Sequence, residues 1–296
     1  MKIKILFSKL INKIFYNIKL KHLYYFFHYR YIKYKYKDIE YIKKILNEKK
    51  LFLITSTGRT GTVLFSQMLN KINGAYVVHE PLFQETKYHK RAMEDPKFSY
   101  NFLKEFRLKE MVYRIEKNNC NRYGEVNGGL RRNIKELKEI FPSMKIIHIV
   151  RDGRKIISSV LNRNTFLKGD AYYNLQPSSC IIDTQTWAKF NRFEKITYLW
   201  ATENKYMREN SDLTIRFEDM VSNYAYFKKN ILDVLDLKLN YQDWEESTQK
   251  KVNKTKKTKA DTGFEKWSDK QKQFFTLHCS DEMEINGYEI EKKIKS

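Results

Sequence analysis

Leu51-Phe52-Leu53-Ile54-Thr55-Ser56-Thr57-Gly58-Arg59-Thr60-Gly61-Thr62-Val63-Leu64-Phe65 decides the fold of this chain. Its opening run is apolar and rich in β-formers, which predicts a buried strand. A loop of Gly, Thr and Ser with a single Arg follows, and Val63-Leu64-Phe65-Ser66-Gln67-Met68-Leu69 predicts a helix. A strand feeding a helix through such a loop offers an anion several backbone N–H groups and the positive end of a helix dipole. Thr57, Gly58, Arg59, Thr60, Gly61, Thr62 and Val63 are therefore the candidate phosphate ligands. The glycines admit close backbone approach, Thr60 and Thr62 add hydroxyl donors, and Arg59 adds a fixed charge. The loop is not of the nucleoside-triphosphatase kind. Aligning G-x4-G-K-[ST] on Gly58 puts Leu53 at the first glycine, and aligning it on Gly61 puts Ser56 there and Thr62 at the lysine.

Further strands point the same way. Ala75-Tyr76-Val77-Val78-His79-Glu80-Pro81 predicts a short strand that Pro81 terminates, leaving His79 and Glu80 at its end. Ligands of parallel α/β sheets bind outside the carboxyl ends of strands, so Glu80 is expected near the phosphate loop. Alternation turns His79 to the other side. Lys145-Ile146-Ile147-His148-Ile149-Val150 predicts a strand that runs through Arg151-Asp152-Gly153-Arg154-Lys155 into a helix, a second anion site built like the first. Arg151 and Ser159, eight apart, can converge on one phosphate; the competing reading pairs Arg151 with Asp152 or a neighbouring acid. Leu213–Phe217 predicts a further strand. These elements imply an α/β fold of three layers, a P-loop-type central parallel β-sheet flanked by helices. Residues 84–132 read as mostly helical, 164–185 as a loop, and Trp187, Phe190, Phe193, Ile196 and Trp200 as one long helix running to about residue 209. Residues 249–259 read as a lysine-rich polar segment. A last helix over Gln271–Glu284 closes on Gly287.

The chain has 296 residues and a net charge of +22. Residues 1–50 hold 14 Lys/Arg against 3 Asp/Glu, or 14 − 3 = +11. Much of the excess is compositional, since Lys, Tyr, Ile and Asn are abundant throughout, but a basic surface favours anionic partners. The charge leaves nucleic acid, an anionic membrane surface, an acidic glycan and a nucleotide open as partners. Residues 1–50 form a basic aromatic extension ahead of a domain over 51–296. Leu23-Tyr24-Tyr25-Phe26-Phe27-His28-Tyr29, flanked by Lys21, Arg30 and Lys33, reads as a helix that packs on the domain and contacts a membrane. No run approaches the roughly 20 apolar residues of a membrane span, and no small-residue cleavage site follows the apolar stretches. Three widely spaced cysteines, Cys120, Cys180 and Cys279, give neither a disulfide framework nor a zinc site, which predicts a cytoplasmic protein and no metal.

Two anion loops on one sheet suit a nucleotide with phosphates at two places. With them the chain resembles the PAPS-dependent sulfotransferases, which use 3′-phosphoadenosine 5′-phosphosulfate, and most of all the carbohydrate (GlcNAc-6-O-like) and bacterial branch. Thr57–Thr62 resembles the 5′-phosphosulfate loop, and Ile147–Asp152 through Ser159 resembles the 3′-phosphate element. His79-Glu80-Pro81-Leu82 is similar to the E-P that follows the first loop. Arg216-Phe217-Glu218-Asp219-Met220 resembles the family's [RY]-[YF]-E-D-L strand end, and Trp267, Cys279 and Gly287-Tyr288 its W…C…GY close. The likeness runs from about residue 51 to 289. Gly153 stands where the family often has a proline.

The resemblance implies sulfuryl transfer to an acceptor hydroxyl, on a cell-surface polysaccharide or glycolipid precursor, so that nucleic acid is not expected as a partner. Arg59 is then expected to stabilise charge on the transferring group, Glu80 to act as the base with His79 as the alternative, and Arg151 and Ser159 to hold the 3′-phosphate. Two other classes stay open. A nucleotide or small-molecule kinase would use the same sheet, and a non-enzymatic polyanion or membrane binder would rest on the charge alone.

Overall fold

The computed structural model describes residues 18–249 and 262–290. The lysine-rich segment expected over 249–259 lies, apart from residue 249, outside the described residues, as do the first seventeen. The sheet has five parallel strands: β1 (Lys50–Thr55), β2 (Ala75–His79), β3 (Arg122–Val126), β4 (Lys145–Val150) and β5 (Leu213–Arg216). Their order is β2-β3-β1-β4-β5. The central strand β1 thus has β3 on one side and β4 on the other. A crevice opens beyond its carboxyl end, where the connections leave to opposite sides.

Strand alternation divides the core. Leu51 and Leu53 of β1 pack into one layer with Tyr123 and Ile146, whereas Phe52 and Ile54 face the other with Val77, Ile147, Ile149 and Ile215. The first layer holds α1 (Ile18–Lys35), α2 (Ile39–Asn47) and α5 (Leu108–Asn118); the second holds α3 (Thr62–Leu69). Helix α4 (Glu85–Glu94) follows β2, and α6 (Ile134–Ile140) precedes β4. Because each face is apolar, the central strands β1 and β4 are buried on both sides and read as near-continuous apolar runs, whereas the edge strands β2 and β5 are only partly buried.

One strand breaks that rule. Residues 84–132 are not all helical: Arg122-Tyr123-Gly124-Glu125-Val126 is β3, paired with both β1 and β2. Its sequence lacks the apolar run because tertiary partners replace it. Glu125 is buried against Arg107, Asn127 and Tyr123, and Gly124 lies under the ring of its cross-strand partner Phe52. A Cβ at Gly124 would stand 2.0 Å from Phe52 Cζ.

The long aromatic helix is also two. After α7 (Gly153–Leu161), α8 (Thr184–Lys189) ends at Phe190, and α9 (Arg192–Asn210) begins afresh at Asn191. Asn191 accepts from Glu194 N while the Glu194 carboxylate accepts from Asn191 N, a capping box that stops the helix from running through. After β5 comes α10 (Phe217–Ser222), then α11 (Tyr241–Gln249) and α12 (Asp269–Ile285). Helix α12 ends as expected. Gly287 has φ 71°, its N–H donates to Glu284 O, and Tyr288 N–H donates to Met283 O, a Schellman closure.

Candidate active site

The loop after β1 folds around Ser56, whose Oγ accepts from Gly58 N at 3.1 Å and from Thr60 Oγ1 at 2.7 Å. Three residues of the loop, Gly58, Arg59 and Gly61, have φ of 88°, 61° and 70°. Left-handed residues within so short a loop turn its N–H groups towards one concavity. Gly61 is the N-cap of α3 and supplies no side-chain cap, so the first N–H groups of that helix face the same loop without one. Glycine is required at 61, where a Cβ would stand 2.7 Å from the Phe217 ring.

The second loop meets the first. Arg59 Nε donates to Ser159 Oγ at 3.0 Å, and Arg151 Nη1 donates to the Arg59 carbonyl at 2.7 Å. Arg151 Nε is buried with no hydrogen-bond partner among the described residues. Burial, with Arg163 and Arg151 nearby, holds the Arg59 guanidinium below the usual arginine range. Clustered positive charge in a half-buried place favours an anion there. Arg151 does not pair with Asp152, but its Nε lies 3.9 Å from another acid, Glu218 Oε1. The Asp152 carboxylate caps α7 through Arg154 N at 2.9 Å and pairs with the Arg154 guanidinium. Gly153 has a packing reason, since a Cβ there would stand 3.0 Å from the Trp200 ring.

Of the hydroxyls expected to face a phosphate, Thr60 Oγ1 is engaged with Ser56 and Thr62 Oγ1 lies 2.9 Å from His79 Nε2. His79 is absent from the cleft lining and Glu80 is part of it. Glu80 lies just past β2 with φ 38°, a strained conformation for a residue with a side chain. Such strain costs about 1–3 kcal/mol and collects at functional sites.

A cleft of about 230 Å³ opens beside the loop. Thr57, Gly58, Arg59 and Glu80 line one part, and Ile156, Val160, Phe166, Ile196, Leu199 and Trp200 form an apolar wall. Its polar lining includes Glu85, Arg131, Arg163, Tyr172 and Glu203, none of which the sequence singled out. Glu203 lies 2.5 Å from Arg131 Nε and 3.1 Å from His89 Nε2, also binds Arg132, and His89 Nδ1 lies 2.8 Å from Tyr172 Oη. Burial would raise the Glu203 pKa, but Arg132 and Arg131 outweigh it and hold the carboxyl well below its usual range. Burial, aided by Arg131, pushes His89 down to about 4, so the imidazole is neutral at pH 7. Glu85 is pushed up to about 7 by burial against the pull of Arg107. Its Oε1 accepts from Leu82 N and Asn127 Nδ2. No sequence signal joins these groups, which come from α4, α9, the turn over Gly128–Asn133 and the segment 162–183.

The C-terminal residues of the family resemblance meet behind the second loop. Tyr288 Oη donates to Glu218 Oε2 at 2.8 Å, Arg216 stacks on the Tyr288 ring, and Trp267, Cys279 and Tyr288 share one cluster with α7 and α9.

The model of the sulfotransferase family matches residues 110–243. That span contains Arg151, Ser159 and Arg216–Met220 and leaves out the loop at 56–62 and Glu80. No curated protein sequence matches the chain significantly. Among solved structures, the chain is similar to sulfotransferase STF9 from Mycobacterium avium, with TM-score 0.51 and 11% identity over 84% of this chain and 80% of that one. It also matches a sulfotransferase from Alicyclobacillus acidocaldarius with TM-score 0.48 and 11% identity, over 82% and 97% of the two chains. Mouse sulfotransferase SULT7A1, complexed with PAP, matches with TM-score 0.46 and 14% identity over 80% and 85%. At these identities the likeness is one of fold.

Proposed function

We propose that the chain, which the sulfotransferase family model matches over residues 110–243, transfers a sulfuryl group from 3′-phosphoadenosine 5′-phosphosulfate to a hydroxyl of a carbohydrate acceptor. The domain over 51–296 is taken to carry the reaction. The single observation that supports the donor best is the junction of the two loops, where Arg59, Arg151 and Ser159 are joined beside the uncapped start of α3. Arg151 Nε makes no hydrogen bond among the described residues, with Glu218 Oε1 at 3.9 Å, and could donate to an anionic ligand there. The loop from Thr57 to Val63 would hold the 5′ side of the donor, and Arg151 with Ser159 the 3′-phosphate.

Bound there, the donor supplies the sulfuryl group and a phosphate leaving group. Sulfuryl transfer, like phosphoryl transfer, passes through a loose in-line transition state that positioning and charge stabilise. Arg59 and the loop N–H groups would act as fixed dipoles on the developing charge. Glu80, strained at the cleft's edge, would take the proton of the acceptor hydroxyl as it attacks sulfur. His79 is the weaker candidate, because its ring lies against Thr62. Cytoplasmic location and contact of the basic N-terminal segment with an anionic membrane belong to the same proposal.

Calorimetric titration with 3′-phosphoadenosine 5′-phosphate, against 5′-AMP and ATP–magnesium, tests it. Binding that needs the 3′-phosphate is expected. Preference for ATP–magnesium would favour a kinase instead, although the loop has no lysine for one.

A further inference from the structure

We propose that the outward face of α1 docks on an anionic lipid bilayer and carries the Glu80 loop to it, so that the acceptor hydroxyl belongs to a molecule held at the membrane surface. This rests on the sulfotransferase reading above and names the setting of its acceptor. The helix is apolar on two sides. Ile32 and Tyr36 are buried against the body, and Tyr25 stacks on Phe83 with ring centroids 5.1 Å apart. On the opposite side Leu23, Phe27, Tyr31 and Tyr34 recur at helical spacing and are exposed, Phe27 by 58% and Tyr34 by 73%. A helix with water on that side would carry polar residues there.

The neighbouring stripe settles the kind of partner. Phe26, Arg30 and Lys33 follow one another at i, i+4 and i+7, and Lys37 comes just past the end of the helix, with the Arg30 guanidinium over the Phe26 ring and Lys37 Nζ over Tyr34. Aromatic rings beside long cationic side chains suit the headgroup region of an anionic membrane. The seventeen residues ahead of Ile18 add four lysines and no acid. A second copy of the chain would bring like charge against this face, which disfavours self-association.

The face is coupled to the site by contacts within the fold. His28 Nε2 lies 3.0 Å from Glu110 Oε2, Glu110 Oε1 lies 2.6 Å from Arg114 Nη2, and Arg114 Nη2 donates to the Pro81 carbonyl at 3.2 Å. Phe83 is held by Tyr25 and by an edge contact from His22. The segment that follows Glu80 therefore rests on the inner side of α1, about one helix diameter, roughly 10 Å, from whatever meets its outer side.

The test is co-flotation of the full chain with phosphatidylcholine vesicles, with and without phosphatidylglycerol. Preferential partition onto the anionic vesicles is expected, weakening with salt, and the Leu23→Ser/Phe26→Ser/Phe27→Ser variant should partition at least about tenfold less. Titration with 3′-phosphoadenosine 5′-phosphate should be the same for both proteins, which also reports that the variant is folded. Radiolabel carried from the donor into a membrane extract should enter the organic phase, less of it with the variant. No partition, equal partition by the variant, or label confined to the aqueous phase would overturn the proposal. So would a wild-type oligomer in light scattering that the variant loses. Flotation that persists in a chain unable to bind the bisphosphate would instead sink the sulfotransferase donor reading and leave the docking face standing.

Discussion

The side chains of Arg59 and Ser159, a hundred residues apart in sequence, meet through a 3.0 Å hydrogen bond from Nε to Oγ. One belongs to the loop after β1 and the other to α7 after β4, so adjacency of two central strands turns two separate anion loops into one site. Arg151 completes the junction by donating to the Arg59 carbonyl.

Arg151→Ala and Ser159→Ala should each weaken binding of 3′-phosphoadenosine 5′-phosphate while leaving adenosine 5′-phosphosulfate less affected. Loss of a hydrogen bond to a charged group is worth about 1.5–3 kcal/mol, or about ten- to a hundredfold in affinity for Arg151. Calorimetry on both ligands measures it, and equal losses for the two would move the 3′-phosphate elsewhere.

Glu80→Gln should lower turnover by about 10²–10⁴ and leave bisphosphate affinity unchanged, as expected of a general base. His79→Ala, which removes the contact with Thr62, should cost far less turnover. A larger loss at His79 than at Glu80 would exchange their roles.

Gly124→Ala should destabilise the protein by more than the about 1–3 kcal/mol usual for overpacking, because the added methyl falls within the Phe52 ring. Phe52→Leu in the same chain should recover much of the loss. Denaturant midpoints of the single and double variants test the coupling.

Acid should unfold the protein through its buried histidines. Burial pushes both His89 and His148 down to about 4. Unfolded imidazoles take up protons near the ordinary value of 6.5, so between about 6.5 and 4 the unfolded chain binds more protons and stability falls as pH falls. Each group contributes about 3 kcal/mol that is fully present above the upper limit. His148→Gln, which cannot titrate, should flatten the dependence of unfolding free energy on pH; an unchanged slope would remove His148 from the cause.

The parts legible in the sequence were local. An apolar run before a glycine-bearing loop specifies strand, turn and helix within fifteen residues, because burial on both faces and left-handed backbone each leave a mark on composition. The strands at 75–79 and 145–150, the end of α12 at Gly287 and the parallel three-layer fold followed from such marks. What only the tertiary structure decided was every partnership across long separations. Strand β3 was hidden because Glu125 and Gly124 are acceptable in a buried strand only where Arg107 and the Phe52 ring are present. The cleft's Glu85, Arg131 and Glu203 were invisible for the same reason: a charged residue becomes a buried network member through its neighbours' charges, and those arrive from elements that the chain places together only when folded.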